Sequence, residues 1–270
     1  MQATSSAARA IYVIGGFVIA ALFVLWLLSP GGTRSSCNIA YIPVQGELVT
    51  YVPASEGTTT GNAYDQTASE DVTQSIRAAE ADSSIKGIVL AIDSPGGSPV
   101  AGEEIQAALK RSSKPTVALI RDQGDSAAYM AASGANVIFA SAFSDVGDIG
   151  ITQSYVDSSK QNTESGLTYN QLSIGKYKDM FSTDKPLTPD ERALAMQQLQ
   201  LDYNVFVGIV VENRGMSTSS VLALADGSSV TGSEALQNGL INKIGNVDDV
   251  RSYLTDKLGT DAVICGIDVN

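Results

Sequence analysis

The chain has 270 residues, 44% apolar and 17% charged, with 29 acidic against 17 basic side chains and a net charge of −12. No Lys/Arg run exceeds two residues, so a nucleic-acid partner is not expected. The sequence contains no histidine, which removes every catalytic scheme that relies on imidazole and makes a zinc site unusual.

Residues 1–10 form a short amino-terminal tail. Ile11 to Leu28 is an uncharged apolar run of 18 residues, bracketed by Arg9 and by Ser29-Pro30-Gly31-Gly32. That length is at the lower limit for a spanning helix, and no Ala-x-Ala site follows it, so it reads as an uncleaved transmembrane anchor, with a cleaved signal as the alternative. Arg9 and the free amino terminus oppose Arg34 and favour an inside amino terminus. Residues 29–37 read as a linker and residues 38–270 as one soluble domain. Cys37 and Cys265 lie near its two ends, where they either pair in an oxidising compartment or remain thiols; neither has a metal-site spacing partner.

Ile39 to Val44 predicts a first strand. Residues Val52 to Thr67, rich in Gly, Thr, Ser and Asn, predict a mobile loop. Ser69 is placed to cap a helix to about Ala81, with Val72, Ile76 and Ala79 inward. Ile85 to Ile92 is apolar enough for a central strand covered on both faces. It stops at Asp93-Ser94-Pro95-Gly96-Gly97-Ser98-Pro99, where Ser98 caps and Pro99 opens a helix to about Arg111. Glycines before a helix start let backbone N–H groups approach an anion, although an ordinary strand-to-helix turn has the same composition.

Pro115 to Ile120 is a further strand, and Arg121 to Gly134 reads as a glycine turn followed by an Ala-rich helix. Ser126 falls at that turn, either as an N-cap or as a hydroxyl lifted towards a substrate beside free helical N–H groups. Without histidine, a serine nucleophile there needs lysine, carboxylate or tyrosine as its base. A lysine serves when burial lowers its pKa, and Lys178, within Ser173 to Phe181, has the most apolar and glycine-rich setting. Asn136 to Ala140 and Val146 to Ile151 follow as short extended segments. Strands alternating with helices imply a largely parallel α/β core. Thr188-Pro189-Asp190-Glu191 is a capping box that opens a long helix to about Asn213, using Leu194, Leu201, Val205 and Ile209, with Met196 and Phe206 in core or interface. Gly215 is placed to end it. Thr231 to Leu236, then Gly239-Leu240-Ile241, predict a short helix and a closing strand.

Asp93-Ser94-Pro95-Gly96-Gly97-Ser98, Ser126 in its Ala-rich helix, Gly147-Asp148-Ile149-Gly150, Gly175-Lys176-Tyr177-Lys178-Asp179 and Thr231-Gly232-x-x-Ala235-x-x-x-Gly239-Leu240 together resemble the signal peptide peptidase A family over roughly residues 38 to 260. That family comprises membrane-anchored Ser-Lys proteases of ClpP/crotonase fold, built on a repeated β-β-α unit. The resemblance implies Ser126 as nucleophile, Lys178 as general base, and the N–H groups of Gly97 and Ala127 as oxyanion donors. It also implies active sites completed between neighbouring subunits of a homo-oligomer, a catalytic domain on the extracytoplasmic side, peptide substrates such as released signal peptides, and no cofactor or metal. One departure stands out: the family commonly has serine, hydrogen-bonded to the lysine, where this chain has Asp148. A relative that cleaves a specific partner protein and an inactive scaffold of the same fold are the rival readings.

Overall fold

The structure is a computed structural model and describes residues 37–52 and 66–265. The run Ile11–Leu28 and most of the glycine- and threonine-rich stretch after Val52 lie outside the described residues. Among the described residues no helix is long and apolar enough to cross a membrane.

The elements follow in chain order: β1 (Ile39–Gln45), β2 (Glu47–Val49), β3 (Gln66–Ala68), α1 (Ser69–Ala81), β4 (Gly87–Ser94), α2 (Pro99–Arg111), β5 (Thr116–Asp125), α3 (Ala127–Ser133), β6 (Val137–Ala140), β7 (Asp145–Gly147), α4 (Ser159–Glu164), α5 (Pro189–Arg214), α6 (Thr218–Leu222), β8 (Ser229–Thr231), α7 (Gly232–Asn238), β9 (Lys243–Ile244) and α8 (Val247–Leu258). The main sheet runs β1-β4-β5-β6-β9 with every neighbouring pair parallel. At its carboxyl end β7 pairs with β5 in parallel and with β8 in antiparallel fashion. A second, two-stranded parallel sheet joins β2 to β3.

The central strand explains the layering. Successive side chains of a strand point to opposite faces, so the unbroken apolar run of β4 requires cover on both. Ile88, Leu90 and Ile92 pack into the larger core with α1, α2, α3 and α5, through residues such as Ile76, Ile105, Ala128 and Phe206. Val89 faces the other way, into a cluster with Val117, Leu119, Val250 and Leu254. Each such aliphatic side chain contributes about 1.5–3 kcal/mol on leaving water. The first and last described segments close the sheet, since Ile39 bridges Ile264 and the Cys265 N–H donates to the Ile39 carbonyl at 2.9 Å. Both cysteines of the chain, Cys37 and Cys265, are disulfide-bonded.

Most helix boundaries agree with the capping chemistry. Ser98 accepts from the Ala101 N–H with Pro99 behind it, and Thr188 and Glu191 form the reciprocal capping box. Gly215 ends α5 in the left-handed conformation. Four expectations are corrected. Ser69 is the first residue of α1 and makes no cap: its hydroxyl is drawn to the Glu104 carboxylate. Leu201 and Val205 of α5 are exposed, and the inner side is formed by Ala195, Phe206, Val207 and Val210. The closing strand is Lys243–Ile244, because Leu240 and Ile241 are taken up by hydrogen bonds to Ala235 at the end of α7. Finally, β5 does not end at Ile120 but continues to Asp125, so Gly124 lies within the strand and is not a turn.

Candidate active site

Because β5 runs to Asp125 and α3 starts at Ala127, the whole change of direction falls on Ser126. Its φ of 52° and ψ of −123° lie in a region that costs a residue with a Cβ about 1–3 kcal/mol. Neighbouring bonds hold it there. The Ser126 N–H donates to the Gly147 carbonyl at 2.7 Å, and the Ser126 carbonyl accepts from the Met130 N–H at 2.9 Å. The Ser126 side chain makes no capping hydrogen bond, so its hydroxyl is not used to start the helix. It lines a pocket of about 530 Å³ instead. The helix behind it is buried at all seven positions, and Tyr129 anchors it by donating from its hydroxyl to the Leu240 carbonyl at 2.9 Å.

The Gly96-Gly97 turn passes directly over this serine. A Cβ on Gly96 would sit 2.8 Å from the Ser126 Cβ and 2.9 Å from the Ala127 nitrogen, and one on Gly97 would sit 2.3 Å from the Leu48 carbonyl oxygen. Both glycines also have positive φ, 97° and 143°, so the sequence needs glycine here for conformation as well as for space. Leu48 holds the turn from the far side: its N–H donates to the Gly96 carbonyl at 2.7 Å and its carbonyl accepts from the Ser98 N–H at 2.8 Å. In that parallel bridge the N–H of Gly97 itself faces away from Leu48. Gly97 lines the same pocket as Ser126.

Asp148 closes another side of the pocket. It has φ 46°, and its N–H donates to the Ser228 carbonyl at 3.1 Å. Partial burial pushes its carboxyl above the usual carboxylate range. Asp125, just before the nucleophile candidate, is buried and accepts from the Ser229 hydroxyl at 2.8 Å. Its carboxyl is also raised, mainly by burial and further by the nearby Asp148 and Asp145. Further lining, which the sequence did not single out, comes from Tyr203, Asp226 and Gly227, next to Asp148. The Asp-Gly dipeptide at 226–227 was a readable turn signal. No histidine, cysteine and carboxylate grouping suited to a metal ion occurs among the described residues.

The burial expected around Lys178 is not found within the single chain. Lys178 does not line the pocket that holds Ser126, and it is exposed instead of buried among apolar groups. The segment that carries it, residues 151–187, contains no buried residue at all. The other three lysines of that segment are paired: Lys160 with Glu164, Lys176 with Asp190 and Lys185 with Glu191. Pairing holds Lys176 and Lys185 above the ordinary lysine range, which makes them poorer bases. The Lys178 ammonium has no acidic partner among the described residues.

A serine held in strained backbone between a parallel strand and a buried helix, under a glycine turn whose N–H faces away from Leu48, is the arrangement found in serine hydrolases. The sequence profile of peptidase family S49 matches residues 108–261, and this chain belongs to that family. The Clp protease profile matches residues 52–146, in keeping with the parallel ClpP-like α/β sheet. The chain is 31% identical, over 65% of its length and 57% of the other, to a Methanocaldococcus jannaschii protein named as a "putative protease". It is 30% identical, over 68% of its length and 54% of the other, to the "Putative signal peptide peptidase SppA" of Enterococcus faecium. The "Serine protease SPPA, chloroplastic" of Arabidopsis thaliana is 28% identical over 66% of this chain and 27% of its own. The matched region thus spans little more than half, or less, of each relative's length.

Proposed function

We propose that the chain is a serine endopeptidase that uses Ser126 as nucleophile and Lys178 of a neighbouring copy as general base. The observation that carries this reading is the strained Ser126, whose hydroxyl makes no capping bond and which lines a pocket. Neutral Lys178 takes the Ser126 proton as Oγ attacks the peptide carbonyl, and the N–H groups of Gly97 and Ala127 stabilise the oxyanion. The C–N bond then breaks, the lysine proton passes to the leaving amine, and water hydrolyses the ester by the same base in reverse.

The supply of Lys178 from a second copy is supported by the exposure of its segment. Leu172 is 98% and Ile174 100% exposed, which a chain that works alone would not favour. Met196, Leu201 and Val205 on α5 add further uncovered apolar surface. The substrates are peptides associated with a membrane, such as released signal peptides, reached through an anchor at residues 11–28 with the catalytic domain outside the cytoplasm. Disulfide-bonded Cys37 and Cys265 support that placement, since disulfides persist in oxidising compartments. A fluorophosphonate probe tests the reading: labelling of the full chain that is abolished by Ser126→Ala is expected, and equal labelling of both proteins would favour an inert scaffold.

A further inference from the structure

Asp148 and Asp226 are the charged residues of the pocket beside Ser126, and no lysine or arginine lines it among the described residues. Asp226 is not on a free loop. The Tyr203 hydroxyl donates to the Ala225 carbonyl at 2.8 Å, and the Asp148 N–H donates to the Ser228 carbonyl at 3.1 Å. Between these points Gly150 lies against Gly227, so closely that a Cβ at 150 would stand 3.1 Å from the Gly227 Cα. The wall that presents Asp226 is therefore fixed to α5 on one side and to the Asp148 segment on the other.

The carboxyl of Asp226 is also held in its charged form. The Ser228 hydroxyl and N–H donate to its Oδ1 at 2.6 and 2.9 Å, which lowers its pKa from the ordinary aspartate value. Both bonds fall on one oxygen, leaving Oδ2 for a ligand. Other parts of the lining, among them Pro99, Ile151 and Ala225, are apolar. A lining that combines apolar residues with a charged carboxylate fits a side chain with an aliphatic stem and a cationic tip.

We propose that Asp226 is a specificity residue, which selects peptides carrying lysine or arginine next to the bond that Ser126 attacks. This rests on the assignment of Ser126 as nucleophile. The net charge of −12 acts in the same direction, because it draws cationic peptides towards the surface. Asp226 is solvent-accessible, so the preference is moderate and falls with ionic strength.

The test compares otherwise identical peptides with lysine or norleucine at the position before the scissile bond, using the full chain. The expected ratio of kcat/KM, lysine over norleucine, is on the order of ten, carried by KM, and decreases as salt is raised. Asp226→Asn should bring the ratio close to one, and Asp226→Glu should restore most of it. A ratio unchanged by Asp226→Asn, or an equal loss on both peptides, would overturn the proposal. Binding of the same peptides to the Ser126→Ala protein separates this idea from the reading it rests on. Tighter lysine-peptide binding that depends on Asp226 upholds the subsite even if turnover proves independent of Ser126. Equal affinities for the two peptides sink it even if turnover requires Ser126.

Discussion

The two halves of the proposed catalytic apparatus lie in regions of opposite physical character. Ser126 stands where a buried sheet meets a helix buried at every position, and the glycines over it leave no space for a Cβ. Lys178 stands in a segment of residues 151–187 without one buried side chain. The first region is determined by its own packing. The second is held by hydrogen bonds and ion pairs such as Lys176–Asp190 and Lys185–Glu191 and has no core of its own. Under the proposed mechanism, the difference means that a single chain would build the nucleophile and the oxyanion donors, while the base would depend on assembly.

The largest expected effect tests that division directly. Ser126→Ala and Lys178→Ala should each lower kcat/KM by about 10⁴-fold or more, and the double variant should be no worse, because the pair acts as a unit. If the base comes from a neighbour, co-expressed Ser126→Ala and Lys178→Ala chains should regain activity. Random mixing puts an intact serine beside an intact lysine in about one site in four. Mixed oligomers as inactive as either parent would place both groups in the same subunit.

Stability should divide along the same line. Phe206→Ala removes a side chain that is 1% exposed in the main core and should cost about 3–5 kcal/mol in denaturant unfolding. Ile174→Ser, at a fully exposed position, should leave the unfolding of dilute protein within about 0.5 kcal/mol, yet weaken assembly in sedimentation and lower activity. A large loss of stability from Ile174→Ser in monomeric protein would mean that the segment has a packed site within its own chain. Reduction of the disulfide-bonded cysteines should have a smaller effect than Phe206→Ala, about 2–4 kcal/mol. An identical melting temperature with and without reductant would contradict it.

How far the sequence was legible follows the same contrast. The run from Ile85 to Ile92 announced a strand covered on both faces, and Thr188 to Glu191 announced a helix start, because burial and capping are encoded by nearby residues. Ser126 was placed correctly but for an incomplete reason. Gly124 suggested a glycine turn, whereas the strand runs through it and the serine carries the strain, held by the Gly147 carbonyl from a distant strand. The outward turn of Leu201 and Val205 was hidden as well, since a helix that is apolar on several sides does not say which side meets the sheet. The burial expected for Lys178 was read from apolar and glycine neighbours in the chain. Those neighbours, Ile174 among them, are themselves exposed. The Asp226 wall escaped notice because Tyr203, Ser228 and Gly150, which fix it, are remote from one another in sequence.

The smallest expected effect concerns Asp148, which joins the two regions electrostatically if Lys178 reaches the Ser126 pocket. In the single chain the Asp148 carboxyl is raised above its usual value by burial, with no cation beside it in the pocket. On its own such a group stabilises the fold below the pKa of an unfolded aspartate and loses that contribution as pH rises through its folded value. An arriving Lys178 ammonium changes the sign of the environment: the charged carboxylate becomes favoured, and the lysine in turn keeps its proton to higher pH. Since catalysis needs the neutral amine, the acidic limb of kcat/KM should lie at alkaline pH. Asp148→Ser removes the opposing charge and should move that limb down by about a unit or more, with the fold unchanged by circular dichroism. Asp125 is the control, because its carboxyl is engaged by Ser229 and does not line the pocket, so Asp125→Asn should shift the limb less. Superimposable profiles for the unaltered chain and Asp148→Ser would show that no charge coupling links Asp148 to the base, and that Lys178 approaches Ser126, if at all, from a side that Asp148 does not face.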